Sequence, residues 1–221
     1  MKGDSIVVES HHIKAAAEIL PLILPILEQA SGRVTLSVAG QSGSGKSETA
    51  TAIARALEPH GVDSVIFHQD DYFVHPPKTN DRTRRADISW VGTGEVRLDL
   101  MDQHLGAFIA GEKQLEKPLV IYADDAITTE TLDFGAARVA IADGTYTSVL
   151  QNVMYKIFIE RSYQDTRAHR EKRSRDVSEL DPFIDRVLEI EHEIISRHRQ
   201  YADIAISKNY SVTVASNRLP V

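Results

Sequence analysis

The chain has 221 residues, of which 42% are hydrophobic and 26% are charged, and its formal net charge is −7. This is the composition of a globular domain, so we take residues 1–221 as one domain, and the absence of cysteine excludes disulfides and thiolate metal sites. The acidic balance argues against a nucleic-acid partner, and the longest apolar run, residues 19–27, is too short to span a bilayer. We therefore expect a cytoplasmic protein without a nucleic-acid or membrane partner.

The chain begins with a helical extension, residues 1–31. Residues 11–30 predict a helix interrupted by Pro21 and Pro25, because proline lacks the amide hydrogen that a helix interior needs. His11 and His12 are expected at its surface. Strands and helices then alternate, which predicts an α/β fold with a parallel sheet flanked by helices. The predicted strands span residues 33–39, 63–68, 138–142, 155–159 and 202–206. The predicted helices span residues 46–57, 95–110, 145–151, 163–175 and 182–200. An accessory strand pair is predicted at residues 118–122 and 128–133.

Residues 40–47, directly after the first predicted strand, read GQSGSGKS and complete the pattern G-x-x-x-x-G-K-[ST]. In this pattern the backbone amides converge on a phosphate, Lys46 reaches the β- and γ-phosphates, and the Ser47 hydroxyl binds Mg²⁺. The following helix adds its N-terminal dipole to the anion site. The alternative is a glycine turn that binds nothing. We predict a nucleoside triphosphate site formed by Gly40, Ser42, Gly43, Ser44, Gly45, Lys46, Ser47 and Glu48.

Two acids, Asp70 and Asp71, follow the second predicted strand. A carboxylate at the carboxyl end of a parallel strand, beside a phosphate loop, is well placed to accept a proton from an attacking hydroxyl. Asp70 is the first choice for this base and Asp71 the reserve; the alternative is that both acids cap a turn. Asp70 and Tyr72 are also assigned to binding the acceptor, the molecule that carries the hydroxyl.

Residues 137–144 predict an apolar strand that ends in Asp143 and a glycine. The segment resembles a Walker B strand, whose carboxylate holds Mg²⁺ directly or through water. Apolar strands that end in Asp-Gly are also ordinary turn signals, which is the alternative. We predict a metal site formed by Ser47 and Asp143.

Two basic clusters complete the set of candidate residues. The first lies within residues 161–180, where its arginines recur on one helix face and are predicted to form a lid that closes over the triphosphate. Its alternative is a solvated helix face. The lid residues are Arg167, Arg170 and Arg173, and Arg170 is assigned to catalysis together with Lys46. The second cluster, which either binds an anionic group of the acceptor or is a solvated loop, contains Lys78, Arg82, Arg84 and Arg85.

Six stretches, in order over about residues 33–207, resemble the uridine kinase and phosphoribulokinase family of P-loop kinases. They are GQSGSGKS at 40–47, QDDYF at 69–73, IADGTY at 141–146, YKIFI at 155–159, DTRAHR at 165–170 and YADIAI at 201–206. The resemblance implies a P-loop NTPase fold with a five-stranded parallel sheet and a small lid. It also implies transfer of the γ-phosphate of ATP to a small-molecule hydroxyl with Mg²⁺. By this resemblance Asp70 lies at the position of the family's catalytic aspartate, and Asp143 where the family usually has glutamate.

Departures from the family pattern concern the acceptor. Tyr122 resembles a tyrosine that uridine kinases place beside the nucleoside, but the following ADDAIT lacks their His and Arg. Residues 89–95 read SWVGTGE where the family carries a substrate-binding aspartate beside His-Pro, and the acid here is either Asp87 or Glu95. Overall similarity and Tyr122 favour a nucleoside acceptor. A phosphorylated or acidic sugar-like metabolite is favoured by the second basic cluster, in which Lys78, Arg82 and Arg85 are assigned to the acceptor.

The leading hypothesis is an ATP-dependent kinase that acts on a small-molecule substrate, with Asp70 deprotonating or orienting the acceptor hydroxyl. One alternative is a nucleotide-dependent regulatory or binding module that phosphorylates no acceptor. Another is a kinase-like fold without catalysis, against which the joint presence of Lys46, Ser47, Asp70 and Asp143 argues. A homo-oligomer is left open.

Overall fold

A computed structural model of the chain describes residues 6–166 and 181–219. Its helices are α1 (Ser10–Gln29), α2 (Lys46–Leu57), α3 (Pro77–Ala86), α4 (Leu98–Ile109) and α5 (Pro182–Ile195). Its strands are β1 (Val34–Gly40), β2 (Ser64–His68), β3 (Gln114–Ile121), β4 (Ala126–Asp133), β5 (Val139–Gly144), β6 (Tyr155–Ile159), β7 (Ile204–Ile206) and β8 (Val212–Val214).

The main sheet has the strand order β2-β5-β1-β6-β7-β8, and its first five strands are parallel. Every residue of the central strands β1 and β5 is buried, because helices cover both faces of the sheet. The predicted parallel α/β sheet of five strands is confirmed. A sixth strand, the antiparallel β8, was not predicted, since its three half-exposed residues carry too short a pattern.

Helix α1 runs without interruption through Pro21 and Pro25, contrary to the sequence prediction. It buries Ala15, Ile19 and Ile23 in the core that it shares with α2. Pro21 is exposed, so the carbonyl groups that lose a helical partner there face water rather than the protein interior. Packing of the apolar face therefore outweighs the local cost of the prolines.

Two further predictions of secondary structure were wrong, and a third was wrong only at its C-terminal end. Helix α3 lies in a segment read as a loop, because PKTNDRTRRA offers no apolar periodicity and buries only Asn80. The helix predicted over 145–151 is a single 3-10 turn, Thr147–Val149. The helix predicted over 182–200 ends as α5 at residue 195 and continues as a 3-10 segment, Ser196–Tyr201.

The accessory strand pair is confirmed as β3 and β4, which form a separate antiparallel sheet. Both strands begin earlier than predicted, at residues 114 and 126, and β3 ends at residue 121 rather than 122. Within residues 6–166 and 181–219, each helix is too short or too polar to cross a membrane. The segment proposed as a lid, 161–180, is described only as far as residue 166.

Candidate functional site

The phosphate loop joins the end of β1 to the start of α2. Gly43 and Gly45 have φ angles of +74° and +93°, a left-handed conformation that only glycine adopts without strain. Gly45 is the N-cap of α2, so the unpaired amides of the first helical turn face the loop. Ser42 and Gly43 are partly exposed, as are Lys46 and Ser47, whereas Gly40 and Ser44 are buried.

Helix α1 and Tyr210 support the loop from behind. The amide of Glu9 donates to His12 Nδ1 (3.0 Å), so Nε2 carries the proton and donates to the Tyr210 oxygen at 3.2 Å. The Tyr210 hydroxyl in turn donates to the backbone carbonyl of Ser44 at 2.9 Å. His12 is only 1% exposed, so its expected surface position was wrong. The predicted loop residue Glu48 is also buried, in the first turn of α2.

Close packing behind the loop leaves no space for a side chain at Gly45. A Cβ atom there would lie 2.8 Å from His12 Nε2 and would overlap the Tyr210 hydroxyl. Gly111 has nearly the same φ, +92°, but a Cβ atom added at Gly111 would have no other atom within 4 Å. A comparison of alanine substitutions at Gly45 and Gly111 therefore separates the cost of backbone strain from the cost of steric overlap.

We expect Gly45→Ala to lower the free energy of unfolding by roughly 2–5 kcal/mol, and Gly111→Ala by about 1 kcal/mol. The difference arises because Gly45→Ala adds overlap with His12 and Tyr210 to the strain that both variants share. Urea unfolding of the two variants measures both values. Equal losses would show that His12 and Tyr210 move aside without cost.

Gln41, a variable position of the loop pattern, connects the loop to α5. Its Nε2 donates to the carbonyl of Leu188 (2.8 Å), and its Oε1 accepts from the amide of Tyr163 (2.8 Å) and from His192 Nδ1 (3.1 Å). Thr166 Oγ1 donates to the Ser42 carbonyl at 3.1 Å. The sequence pattern contains no signal for these contacts, because it leaves position 41 unspecified.

The two predicted metal ligands are in direct contact. The Ser47 hydroxyl donates to Asp143 Oδ2, and His68 Nδ1 donates to Asp143 Oδ1 at 2.7 Å. Burial alone would raise the pKa of Asp143, but the neighbouring His68, the Ser47 hydroxyl and Lys46 lower it below its ordinary value. An ionised carboxylate beside a hydroxyl is the kind of oxygen pair that Mg²⁺ prefers. His68 was missed, although it ends β2 opposite Asp143.

Asp70 and Asp71 lie in the 3-10 segment Gln69–Tyr72 but have opposite environments. Asp71 is 1% exposed, and its carboxylate pairs with Lys117 Nζ (2.9 Å) and accepts from the Val120 amide (3.1 Å). Asp71 therefore attaches the β3–β4 hairpin to the main sheet. Asp70 is exposed at the carboxyl edge of the sheet, where a base is expected.

Tyr72, which was assigned to acceptor binding, lies in the protein interior. Its ring is fully buried among Met101 and Leu105, and its hydroxyl lies 2.8 Å from His104 Nδ1. Tyr122 is partly exposed and follows the end of β3. The lid arginines Arg167, Arg170 and Arg173 lie outside the described residues.

The second basic cluster lies on helix α3, not in a loop, and two of its members, Arg82 and Arg85, have acidic partners at the surface. Arg82 is within 3.4 Å of Asp125, which also accepts from the Lys78 amide (2.7 Å). Arg85 pairs with Asp81 (2.8 Å) and Asp181 (2.9 Å). The charges of Arg82 and Arg85 are thus balanced within the protein, whereas Lys78 Nζ donates to the Ala123 carbonyl at 3.3 Å. Of these three residues, only Lys78 keeps a charge that favours an anionic acceptor.

Arg84 differs, because its side chain is only 16% exposed and points inward. Its guanidinium binds both carboxylate oxygens of Glu95, which is 0% exposed and also accepts from Asn80 Nδ2 (2.7 Å) and the Gly92 amide (2.8 Å). A second carboxylate, that of Glu191 on α5, lies 3.4 Å from Arg84. The sequence leaves two acids as candidates for the family's substrate-binding aspartate. Glu95 lies in the interior, whereas Asp87 is exposed and accepts a hydrogen bond from the Ser89 amide.

Comparisons with known proteins agree with this architecture. The family model described as phosphoribulokinase / uridine kinase matches residues 35–215. The chain is 31% identical over 195 residues to the bifunctional alpha-galactosidase/sucrose kinase AgaSK of Mediterraneibacter gnavus, a match that covers 83% of this chain but only 21% of that protein. The chain thus spans about a fifth of the length of AgaSK.

Two further matches are similar over most of both chains. A uridine kinase of Staphylococcus aureus is 29% identical over 192 residues, covering 81% of this chain and 90% of that protein. A solved structure, the putative fructose transport system kinase of Silicibacter sp. TM1040, superposes with a TM-score of 0.58 at 18% identity, covering 82% and 88% of the two chains. At that identity the superposition shows the fold alone. The P-loop kinase fold expected from the sequence motifs is confirmed.

Proposed function

This chain belongs to the phosphoribulokinase / uridine kinase family, and on that premise we propose that it transfers the γ-phosphate of ATP to a hydroxyl group of a sugar-like small molecule. The observation that carries the proposal is the contact of Ser47 with Asp143 at the same sheet edge as Asp70. These residues follow or end the neighbouring strands β1, β5 and β2, whose carboxyl ends meet there.

In the proposed reaction, the loop amides and the Lys46 ammonium bind the β- and γ-phosphates. Asp70 accepts the proton of the acceptor hydroxyl while the oxygen of that hydroxyl forms a bond to the γ-phosphorus. The bond between the γ-phosphorus and the β–γ bridging oxygen breaks, and ADP is released. Lys46 Nζ, which donates to the Gln41 carbonyl at 3.0 Å, is held beside the loop that it serves. The lid arginines Arg167, Arg170 and Arg173 are proposed to stabilise the transferred phosphoryl group.

Ser47 and Asp143 are proposed to hold Mg²⁺. The fit rests on the lowered pKa of Asp143, which keeps this carboxylate ionised, and on its contact with the Ser47 hydroxyl. When bound, Mg²⁺ neutralises negative charge on the β- and γ-phosphates. His68 orients Asp143 by donating a hydrogen bond to its other oxygen.

For the acceptor, two observations favour a sugar over a nucleoside. The relative with 31% identity is named as a sucrose kinase, and the segment after Tyr122 lacks the His and Arg of the uridine kinase motif. The decisive test measures ATP consumption with Mg²⁺ against a panel of neutral sugars, phosphorylated sugars and nucleosides. We expect a member of the sugar panel to stimulate ATP consumption and to yield a phosphorylated product. Tight ATP binding without stimulation by any acceptor would instead support a nucleotide-dependent binding module.

A further inference from the structure

Arg84, Glu95 and Glu191, which we call the inner charge cluster, join helices α3 and α5 beside the proposed catalytic residues. Glu95 uses both carboxylate oxygens within the protein and thereby fixes the guanidinium of Arg84. Glu191 uses only one: its Oε1 lies 3.4 Å from Arg84. Its Oε2 is buried and has no hydrogen-bond partner among the residues that the structure describes.

A second buried polar atom without a partner in the described ranges is the hydroxyl of Tyr146. The backbone of Tyr146 is fixed near the reaction centre, since its amide donates to the Gln69 side chain at 2.7 Å and Gln69 precedes Asp70. Buried polar groups are almost always paired in folded proteins, because leaving them unpaired costs free energy. Two such atoms that have Arg84 and Glu95 as common charged neighbours indicate a place where a polar ligand belongs.

The inner charge cluster is within electrostatic reach of the reaction centre. Burial raises the pKa of Glu191. The positive charges of Arg84 and Lys46 oppose this rise, and the negative charges of Glu95 and Asp70 add to it. The pKa of Tyr146 is raised by burial and by the charges of Glu191 and Glu95. Glu191 thus lies within electrostatic reach of Lys46 and Asp70, and Tyr146 lies within reach of Glu191 and Glu95.

The charges around this place disfavour an anionic ligand. Arg84 and Lys46 bring two positive charges, which are outnumbered by the carboxyl groups of Glu95, Glu191 and Asp70. The other two arginines of α3, Arg82 and Arg85, are paired with surface acids. A carboxylate, a phenol and a guanidinium together bind uncharged hydroxyl groups well, since they offer both acceptors and donors.

We propose that Glu191 Oε2 and the Tyr146 hydroxyl bind hydroxyl groups of a neutral sugar acceptor, with Arg84, fixed by Glu95, as the adjoining donor. The inference rests on the proposed kinase function and narrows its substrate class. Glu191 accepts a hydrogen bond from one sugar hydroxyl, and Tyr146 donates to or accepts from another. Phosphorylated or acidic sugars are excluded by repulsion from the carboxylates.

The test compares Glu191→Gln with Glu189→Gln, two residues away on α5, where Glu189 is exposed and pairs with Arg186. The probes are fructose, sucrose and glucose. For whichever of them the enzyme phosphorylates, we expect Glu191→Gln to raise the KM by about tenfold or more, while the KM for ATP changes less than about twofold. Glu189→Gln should match the wild type. A sugar KM equally unchanged in both variants would overturn the proposal and leave Glu191 a structural partner of Arg84.

Tyr146→Phe removes one hydroxyl and keeps the buried ring, so it preserves the fold. Because the hydroxyl is unpaired within the described chain, its loss should leave the unfolding midpoint without ligand unchanged or higher, yet raise the sugar KM about three- to tenfold. A lower midpoint with an unchanged sugar KM would count against the proposal.

Calorimetric titration of the same sugars, and of glucose 6-phosphate and gluconate, into the protein with Mg²⁺ and ADP separates this inference from the kinase proposal. Binding of a neutral sugar that Glu191→Gln weakens, without turnover, would support the inference and refute the kinase function. In the ATP-consumption assay, turnover of glucose 6-phosphate or gluconate in preference to the neutral sugars would support the kinase function and refute the inference. Binding of none of these sugars would also refute it.

Discussion

Asp70→Asn is expected to lower kcat by about 10²–10⁴-fold while the KM for ATP changes less than about threefold. An amide has the shape of the carboxylate but cannot take the proton from the acceptor hydroxyl. Asp70 is exposed and follows β2, so its replacement should leave the fold intact. Steady-state kinetics with the acceptor found in the panel, together with circular dichroism, measures both effects.

A matched control is Asp63→Asn, just before the opposite end of β2, where the side chain is also exposed. This variant should retain wild-type kinetics. Near-normal turnover by Asp70→Asn would refute the assignment of the base. Asp71 would not replace it without cost, because its carboxylate is paired with Lys117 in the protein interior.

Lys46→Ala is expected to weaken ATP binding and to reduce kcat by about 100-fold or more. The ammonium group is the one positive charge that the loop pattern itself brings to the β- and γ-phosphates. Alanine would leave the negative charge of these phosphates unopposed by the loop. Lys46 is partly exposed in the first turn of α2 and its side chain makes one hydrogen bond to the loop, to the Gln41 carbonyl, so stability should change little.

Arg55→Ala, an exposed position in the last turn of the same helix, is the control for loss of a positive charge from α2. Calorimetric titration with ATP and Mg²⁺ should show weakened binding for Lys46→Ala alone. Unchanged nucleotide affinity in Lys46→Ala would contradict the assignment of residues 40–47 as the phosphate loop.

The structure changes the interpretation of the basic residues more than that of any other candidate. In the sequence, Arg84 and Arg85 are neighbours and read as one cluster. On helix α3, consecutive side chains point about 100° apart, so Arg85 reaches Asp81 and Asp181 while Arg84 enters the interior. Two adjacent positive charges therefore have unrelated roles, one at the surface and one beside the proposed acceptor.

From the sequence alone, the parallel sheet, the phosphate loop and the positions of Asp70 and Asp143 at the carboxyl ends of their strands could be predicted. Their signals are local, since apolar runs, glycine spacing and a carboxylate at a strand end each occupy a few consecutive residues. Tertiary structure alone decided that His12 and Tyr210 support the loop, and that Glu191 meets Arg84 across 107 positions of chain. Such partners depend on how distant helices pack against the sheet, and a single sequence carries no local pattern for that packing.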